Sequence, residues 1–263
     1  MTIDIREAAA QFYDRNPDMP DDLPFYLQRI PSPSAAILEL GCGTGRVTLP
    51  LIPHCGYIHG LDLSPAMIDI CRQKLALANW PAERVQVEVG DITDFNLGRR
   101  FDLIIAPFRV LQNLETDAQV DGLFACLQRH LAPGGTCILN VFRPNCDPPE
   151  LRQRWQNNDE FLDWEIPLEG GRLACYTRRA GIDVEKLVLY PELIYRLYAG
   201  GALQEERLLK ICMRCYYPDE FASLIEKHGF EISQCWGGYR GEEYGQGSEL
   251  VVQFGLAKRT NQT

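Results

Sequence analysis

Apolar and polar positions follow one rhythm to about residue 145, a second to about 215, and then return to the first. In the opening stretch, short apolar runs alternate with segments of helical spacing. Ile5, Ala8, Ala9, Phe12 and Tyr13 predict a helix over 4–16, ended by Asn16-Pro17. Asp21 or Asp22 caps a second helix through Phe25, Tyr26 and Leu27, with Pro24 in its first turn. Ile37, Leu38 and Leu40 predict a strand that runs into Gly41, Gly43 and Gly45, and 47–52 reads as the start of a helix. A second strand covers 57–61 and ends at Asp62. Ser64 and Pro65 then open a helix whose apolar side is Met67, Ile68 and Cys71. Val85, Val87 and Val89 alternate as a third strand. Residues 101–107, apolar except at Asp102, suit a fourth strand buried on both faces of a parallel sheet. Residues 117–131 are amphipathic, Pro133-Gly134-Gly135 stops them, and 136–142 is a fifth strand.

The period then drops to two. The runs 161–168, 172–182, 186–198 and 203–216 predict antiparallel strands, with 199–202 (Ala-Gly-Gly-Ala) as a hairpin turn. Leu187, Leu189, Leu193, Tyr195 and Leu197 share one face, and Tyr190, Glu192, Arg196 and Tyr198 the other. From Pro218 the first rhythm resumes. A helix with Phe221, Leu224 and Ile225 inward ends at His228-Gly229, and strands follow at 230–236 and 249–256. Between those strands lies a long glycine-rich loop, 237–248, expected at the rim of a site. The tail 258–263 is polar. Strand and helix in alternation predict an α/β fold, a doubly wound seven-stranded sheet with an antiparallel β insert. The core is 1–145 and 216–263, with leading helices in 1–33, and the insert is 146–215.

Candidate chemistry collects where strands end. Glycines at 41, 43 and 45 let the backbone turn sharply and let a ligand approach, and the helix behind them offers unpaired N–H groups. A dinucleotide turn wants a third glycine three residues after the second, where this chain has Arg46. Glu39, two residues before the first glycine, would repel a pyrophosphate and attract an ammonium or sulfonium. Both features speak against an NAD(P)-binding oxidoreductase. Asp62, about twenty residues past the turn, is placed to accept ribose hydroxyls. Arg109, Gln112 and Asn113 follow the fourth strand on a short helix expected to face the site.

The run Glu39-Leu-Gly-Cys-Gly-Thr-Gly45 resembles the first motif of the class I S-adenosylmethionine (SAM)-dependent methyltransferases. Residues 60–67 (Gly-Leu-Asp-Leu-Ser-Pro-Ala-Met) resemble their second, and 131–135 (Leu-Ala-Pro-Gly-Gly) is a further family mark. The resemblance covers 35–142 and, less closely, 216–258. It implies SAM as cofactor, held by Glu39, Gly41, Cys42, Gly43, Gly45, Arg46 and Asp62. Leu63 and Met67 would line the adenine, and Asp91, between Gly90 and Ile92, would bond its amino group. Ala106 and Phe108 complete the set at the fourth strand's end. Tyr13 and Tyr26, on leading helices that close over the cofactor in such enzymes, would reach its carboxylate. The expected reaction is methyl transfer to N or O of a small-molecule acceptor. Position and water exclusion matter more there than an acid–base pair. Many relatives carry a histidine after the fourth strand, where this chain reads Val-Leu-Gln-Asn-Leu. Beside Arg109, Gln112 and Asn113, the catalytic candidates are Tyr195 and Arg196 of the insert, whose Trp164, Tyr176 and Tyr198 are further substrate contacts. The alternative is a SAM- or S-adenosylhomocysteine (SAH)-binding protein that transfers nothing and acts as partner or sensor.

Composition narrows the partners. The net charge of −10 over 263 residues, with no basic stripe, disfavours nucleic acid. It favours a small acceptor, an amine or cationic one entering most easily. No apolar run spans a bilayer, and 1–7 lacks a signal-peptide layout, so a cytoplasmic location is expected. Oligomeric state is left open. Ten scattered cysteines read as reduced and mostly buried. Cys212 and Cys215, three apart on a strand, point to opposite faces, and no metal site is expected. Cys146, Cys175, Cys212 and Cys215 keep an arsenite methyltransferase as a lesser reading. None of His54, His59, His130 or His228 falls at the expected site.

Overall fold

The computed structural model describes residues 10–257. Ile5, Ala8, Ala9 and the tail 258–263 lie outside them. The elements run α1 (Ala10–Tyr13), α2 (Leu23–Leu27), β1 (Ala36–Leu40), α3 (Thr48–Leu51), β2 (Tyr57–Asp62), α4 (Pro65–Leu77), β3 (Val85–Val89) and β4 (Phe101–Ala106). There follow α5 (Asp117–His130), β5 (Leu131–Phe142), α6 (Pro148–Arg154), β6 (Glu160–Leu168), β7 (Gly171–Asp183) and β8 (Val188–Ala199). The last are β9 (Ala202–Lys210), β10 (Met213–Arg214), α7 (Pro218–Lys227), β11 (Phe230–Trp236) and β12 (Glu249–Leu256).

Seven strands form one sheet in the order β11-β12-β5-β4-β1-β2-β3. The strands β1 to β5 are parallel, and β12 runs antiparallel between β5 and β11. The continuous apolar runs of β1 and β4 have a direct cause. Leu38, Leu40 and Ile104 pack on one side of the sheet, with Leu123, Phe124 and Leu127 of α5 and Phe221 and Ile225 of α7. Ile37, Leu103 and Ile105 pack on the other, with Ile68, Cys71 and Leu75 of α4 and Phe25 and Tyr26 of α2. Each such side chain removed from water contributes about 1.5–3 kcal/mol, so the sheet is held by both layers. The mixed sheet with helices on both faces is the expected doubly wound core.

Four details differ from expectation. The helix predicted from 47–52 is a single turn, continued by a 3-10 turn at Ile52–His54, because Pro53 has no N–H to extend the ladder. The fifth strand starts at Leu131, which pairs with Phe101 before a bulge, and not after the glycines. Leu187 lies ahead of β8 in a left-handed conformation (φ 53°) rather than on its face. The stretch 146–215 contains a helix, α6. Asp147 caps it by accepting from Glu150 N at 2.9 Å, and Pro148 and Pro149 open it. Asp-Pro-Pro-Glu is a helix-start signature.

The strands β6 to β10 form the second, antiparallel sheet, in the order β10-β8-β7-β6, with β9 also on β8. Gly200 and Gly201 have φ of 58° and 79°, as a two-residue hairpin turn requires. One face of this sheet carries Asp163, Thr177, Arg179, Leu189, Leu193 and Tyr195, and these line a cleft. The other carries the ion pairs Arg178–Glu192 and Arg196–Glu160.

Candidate functional site

A cleft of about 810 Å³ lies between the carboxyl ends of β1 to β5 and the inner face of the second sheet. Its floor begins at the glycine turn. Asp62 ends β2 in register with Val89 of β3. The Asp62 carboxylate accepts from Gly43 N at 2.8 Å and Ser64 N at 2.9 Å. One side chain therefore ties the glycine turn to the start of α4, and it still borders the cleft. Asp91, beyond β3, is exposed. Its Oδ1 accepts from Thr93 N at 2.8 Å and Thr93 Oγ1 at 2.7 Å, which fixes the carboxylate's direction. Gly41, Gly43, Leu63, Met67 and Ile92 complete this end.

The N-terminal segment is strapped over the same turn. Asp14 accepts from Thr44 Oγ1 at 2.6 Å and pairs with Lys74 at 2.6 Å. Arg46 forks onto the fully buried Asp22 at 2.5 and 2.9 Å. These two ties bring Tyr13 and Asn16 into the cleft wall, where burial pushes the Tyr13 hydroxyl up to about 12.

The middle of the cleft is set by an unusual backbone. Phe108 and Arg109, just past β4, both have left-handed φ, 57° and 68°. Two such non-glycine residues in succession are strained and need outside support. Asn140 supplies it by accepting from Arg109 N at 3.1 Å, and its Nδ2 donates to Glu249 at 3.0 Å. The Arg109 guanidinium closes the triangle on Glu249. Phe108, Arg109, Val110, Asn113 and Leu114 all face the cleft.

Residues 37–135 match the model of a methyltransferase domain family. The matched stretch, from β1 into β5, is similar to a methyltransferase domain. Among curated relatives, the N,N-dimethyltransferase of dTDP-3-amino-3,6-dideoxy-alpha-D-glucopyranose from Streptomyces fradiae is 30% identical over 118 residues, 45% of this chain and 44% of that protein. Nodulation protein S of Rhizobium tropici is 36% identical over 124 residues, 47% and 48% of the two chains. The chain thus spans about half the length of the curated relatives it matches. Among solved structures, the CcbJ methyltransferase of Streptomyces caelestis superposes with a TM-score of 0.77 at 23% identity, covering 97% of this chain and 98% of that one. A SAM-dependent methyltransferase from Clostridium acetobutylicum ATCC 824 gives 0.77 at 16%, covering 96% and 98%. The likeness in fold thus extends over 96–97% of this chain.

Of the residues expected around a cofactor, Tyr13, Gly41, Gly43, Asp62, Leu63, Met67, Asp91, Ile92 and Phe108 line the cleft. Others do not. Glu39 was expected at the opening, but it sits behind the turn, 2% exposed, accepting from Thr48 Oγ1. Burial lifts its pKa to about 8, against the opposing pull of Thr48 and Arg46. Arg46 is engaged with Asp22 instead. Tyr26 is wholly buried against Phe25 and Tyr239, too deep to reach a ligand carboxylate. Cys42, Gly45, Gly90 and Ala106 support the turn and strand ends without bordering the cleft.

Of the catalytic candidates, Arg109, Asn113 and Tyr195 face the cleft. Gln112 does not. It is buried, donates to Arg214 O at 2.8 Å and accepts from Phe142 N at 2.7 Å, clamping the two sheets together. Arg196 lies on the outer face, paired with Glu160 and Glu206, because its even position on β8 points it away. Tyr176 stacks under Arg196 on that same outer face, and Trp164 packs with Tyr195 in a small core. The cleft is also lined by residues that no sequence pattern singles out: Arg143 and Asn145 after β5, Arg154 of α6 and Trp155 just past it, and Asp163, Thr177 and Arg179 from the second sheet. Arg143 follows a parallel strand's carboxyl end, a position where ligands collect in such sheets. The glycine-rich loop reaches the rim through Gly247 and Ser248. Among the described residues, no group of three or more His, Cys, Asp or Glu side chains is placed to hold a metal, and no helix is long and apolar enough to cross a membrane.

Proposed function

We propose that this chain is a SAM-dependent methyltransferase that methylates an amine nitrogen of a small-molecule acceptor. The observation that carries the reading is that Gly43, Asp62 and Asp91, at the tips of three adjacent parallel strands, border one cleft within a stretch similar to a methyltransferase domain. The residues fit the cofactor. A side chain built on Gly43 would meet no protein atom within 4 Å, so glycine there leaves open space against the turn. Asp62, with its orientation fixed by two N–H donors, would take the ribose hydroxyls. Asp91 would take the adenine amino group, with Leu63, Met67 and Ile92 around the ring. Tyr13 would meet the amino-acid end. Bound in this way, SAM supplies a methyl carbon on a positively charged sulfur, already activated for displacement.

The chain's own task is then placement. The second sheet roofs the cleft with Leu189, Leu193 and Tyr195, which exclude water from the acceptor nitrogen. Asp163 is the one carboxylate that the second sheet's described residues present to the cleft. Partial burial raises its pKa, and Oδ2 accepts from Thr177 Oγ1 at 3.3 Å. It is suited to hold an ammonium group or take its proton. The choice of nitrogen draws on relatives named as amino-sugar N,N-dimethyltransferases. Calorimetry with SAM, followed by a methyl-transfer assay on amine-bearing and hydroxyl-bearing acceptors, tests the reading. Absence of SAM and SAH binding overturns it. Binding with turnover of hydroxyl acceptors alone overturns the choice of nitrogen.

A further inference from the structure

We propose that the acceptor carries a phosphate-type anion, and that Arg143, Arg154 and Arg179 form its seat at the end of the cleft away from Asp62. This deepens the methyltransferase reading and rests on it. The three arginines come from three elements: the segment after β5, the last turn of α6, and the inner face of β7. Hydrogen bonds fix each of them at the wall, and one joins Arg179 to Arg154. Arg154 donates to Asn145 Oδ1 at 2.9 Å, Arg179 donates to Arg154 O at 3.2 Å, and Arg143 Nε donates to Gly247 O at 2.9 Å. These bonds hold the side chains at the wall and leave further donors on each guanidinium, which has five.

Their charge balance sets them apart. The chain has 36 acidic and 26 basic residues, and elsewhere in the molecule cleft or sheet arginines meet carboxylates. Arg109 pairs with Glu249, and Arg178, next to Arg179 but on the outer face, pairs with Glu192. Arg143 and Arg179 have no carboxylate within 4.0 Å among the described residues, while Arg154 has Glu150 at 2.6 Å. Three positive charges less one negative leave two. That suits a phosphate, which carries about −1.5 to −2 at neutral pH, better than a single carboxylate. Guanidinium forks match phosphate oxygens in geometry as well as in charge. Phe161, 5.4 Å beneath the Arg179 guanidinium and 41% exposed, and the half-buried Trp155 give the seat flat apolar walls. The acceptor would then lie along the cleft with its amine toward Asp163 and its phosphate toward α6. The negative net charge of the whole chain does not oppose this, since it is screened within about 10 Å at 0.1 M salt.

The test is calorimetric titration of inorganic pyrophosphate into the full chain saturated with SAH. Pyrophosphate is expected to bind, and to bind more weakly as KCl is raised. Arg179→Met should weaken binding about tenfold, and Arg143→Met with Arg179→Met about a hundredfold. SAM affinity should stay within twofold of the parent in both variants. Arg172→Met, an exposed site on the same strand paired with Glu165, is the control and should bind pyrophosphate as the parent does. No pyrophosphate binding by the parent, or unchanged binding in both arginine variants, overturns the seat. Succinate binding as tightly as pyrophosphate overturns the phosphate assignment. Loss of SAM binding in the parent instead strikes the methyltransferase reading, so the two failures are told apart.

Discussion

The two ends of the cleft are built on different plans. At the Asp62 end, the cleft-facing groups sit at strand tips, glycines and short carboxylates placed by the register of β1, β2 and β3. At the Arg179 end they are long side chains from the segment after β5, from α6 and from β7, brought together by bonds such as Arg154 to Asn145. The first plan is carried by consecutive residues, so a local pattern specifies both the fold and the chemistry. The second depends on which strands pair and which face turns inward, so its chemistry can be exchanged while the fold stays.

This contrast can be broken by experiment. Asp62→Ala should have the largest effect. It removes two charge-assisted bonds to backbone N–H groups as well as the proposed ribose contact, and should weaken SAM binding about a hundredfold by calorimetry. Pyrophosphate binding should survive. If it is lost as well, the two ends are not independent. Next is Glu249→Ala, which strips Arg109 and Asn140 of their common partner in the middle of the cleft. Urea unfolding should show a loss of about 2–3 kcal/mol.

A smaller effect belongs to Glu39. Its folded pKa of about 8 lies above the ordinary carboxylate value, so the folded chain holds a proton that the unfolded chain has released. Its contribution to stability is therefore full at acid pH and is lost as pH rises from about 5 to about 8. Unfolding measured across that window should show a decline of at least about 1 kcal/mol that Glu39→Gln removes. If Glu39→Gln keeps the slope, another group carries it. The smallest effect is expected from Arg196→Met, on the outer face of the roof. Acceptor KM and kcat should stay within about twofold, as for a solvent-facing ion pair. A larger change would mean that the roof presents its other face to the acceptor.

Much of the fold was legible because its causes are local. The apolar runs at 37–40 and 101–106 reflect strands covered on both faces, and Ser64-Pro65 announces α4 through its own cap. The alternation along β8 assigned Leu189, Leu193 and Tyr195 to one face correctly. What was lost lies at longer range. Glu39 looked like a surface carboxylate because a strand-end position says nothing of how deeply the following turn covers it. Gln112 looked available because its two backbone partners, Phe142 and Arg214, are 30 and 102 residues away. Parity on the strand puts Tyr195 and Arg196 on opposite faces but does not say which face meets the cleft; the pairing of the second sheet decides that, and Arg196 falls outside. Arg154 was missed with its helix, whose Asp-Pro-Pro-Glu start was on view but was overridden by the period-two rhythm around it.

The left-handed pair at Phe108 and Arg109 carries an evolutionary consequence. Its strain is relieved by Asn140 and Glu249, which reach it from β5 and the start of β12. Positions 109, 140 and 249 are therefore expected to vary together. A lineage that replaces one must replace the others or settle on glycine at 109, and a survey of natural variants should find the three drifting together across more than a hundred intervening positions.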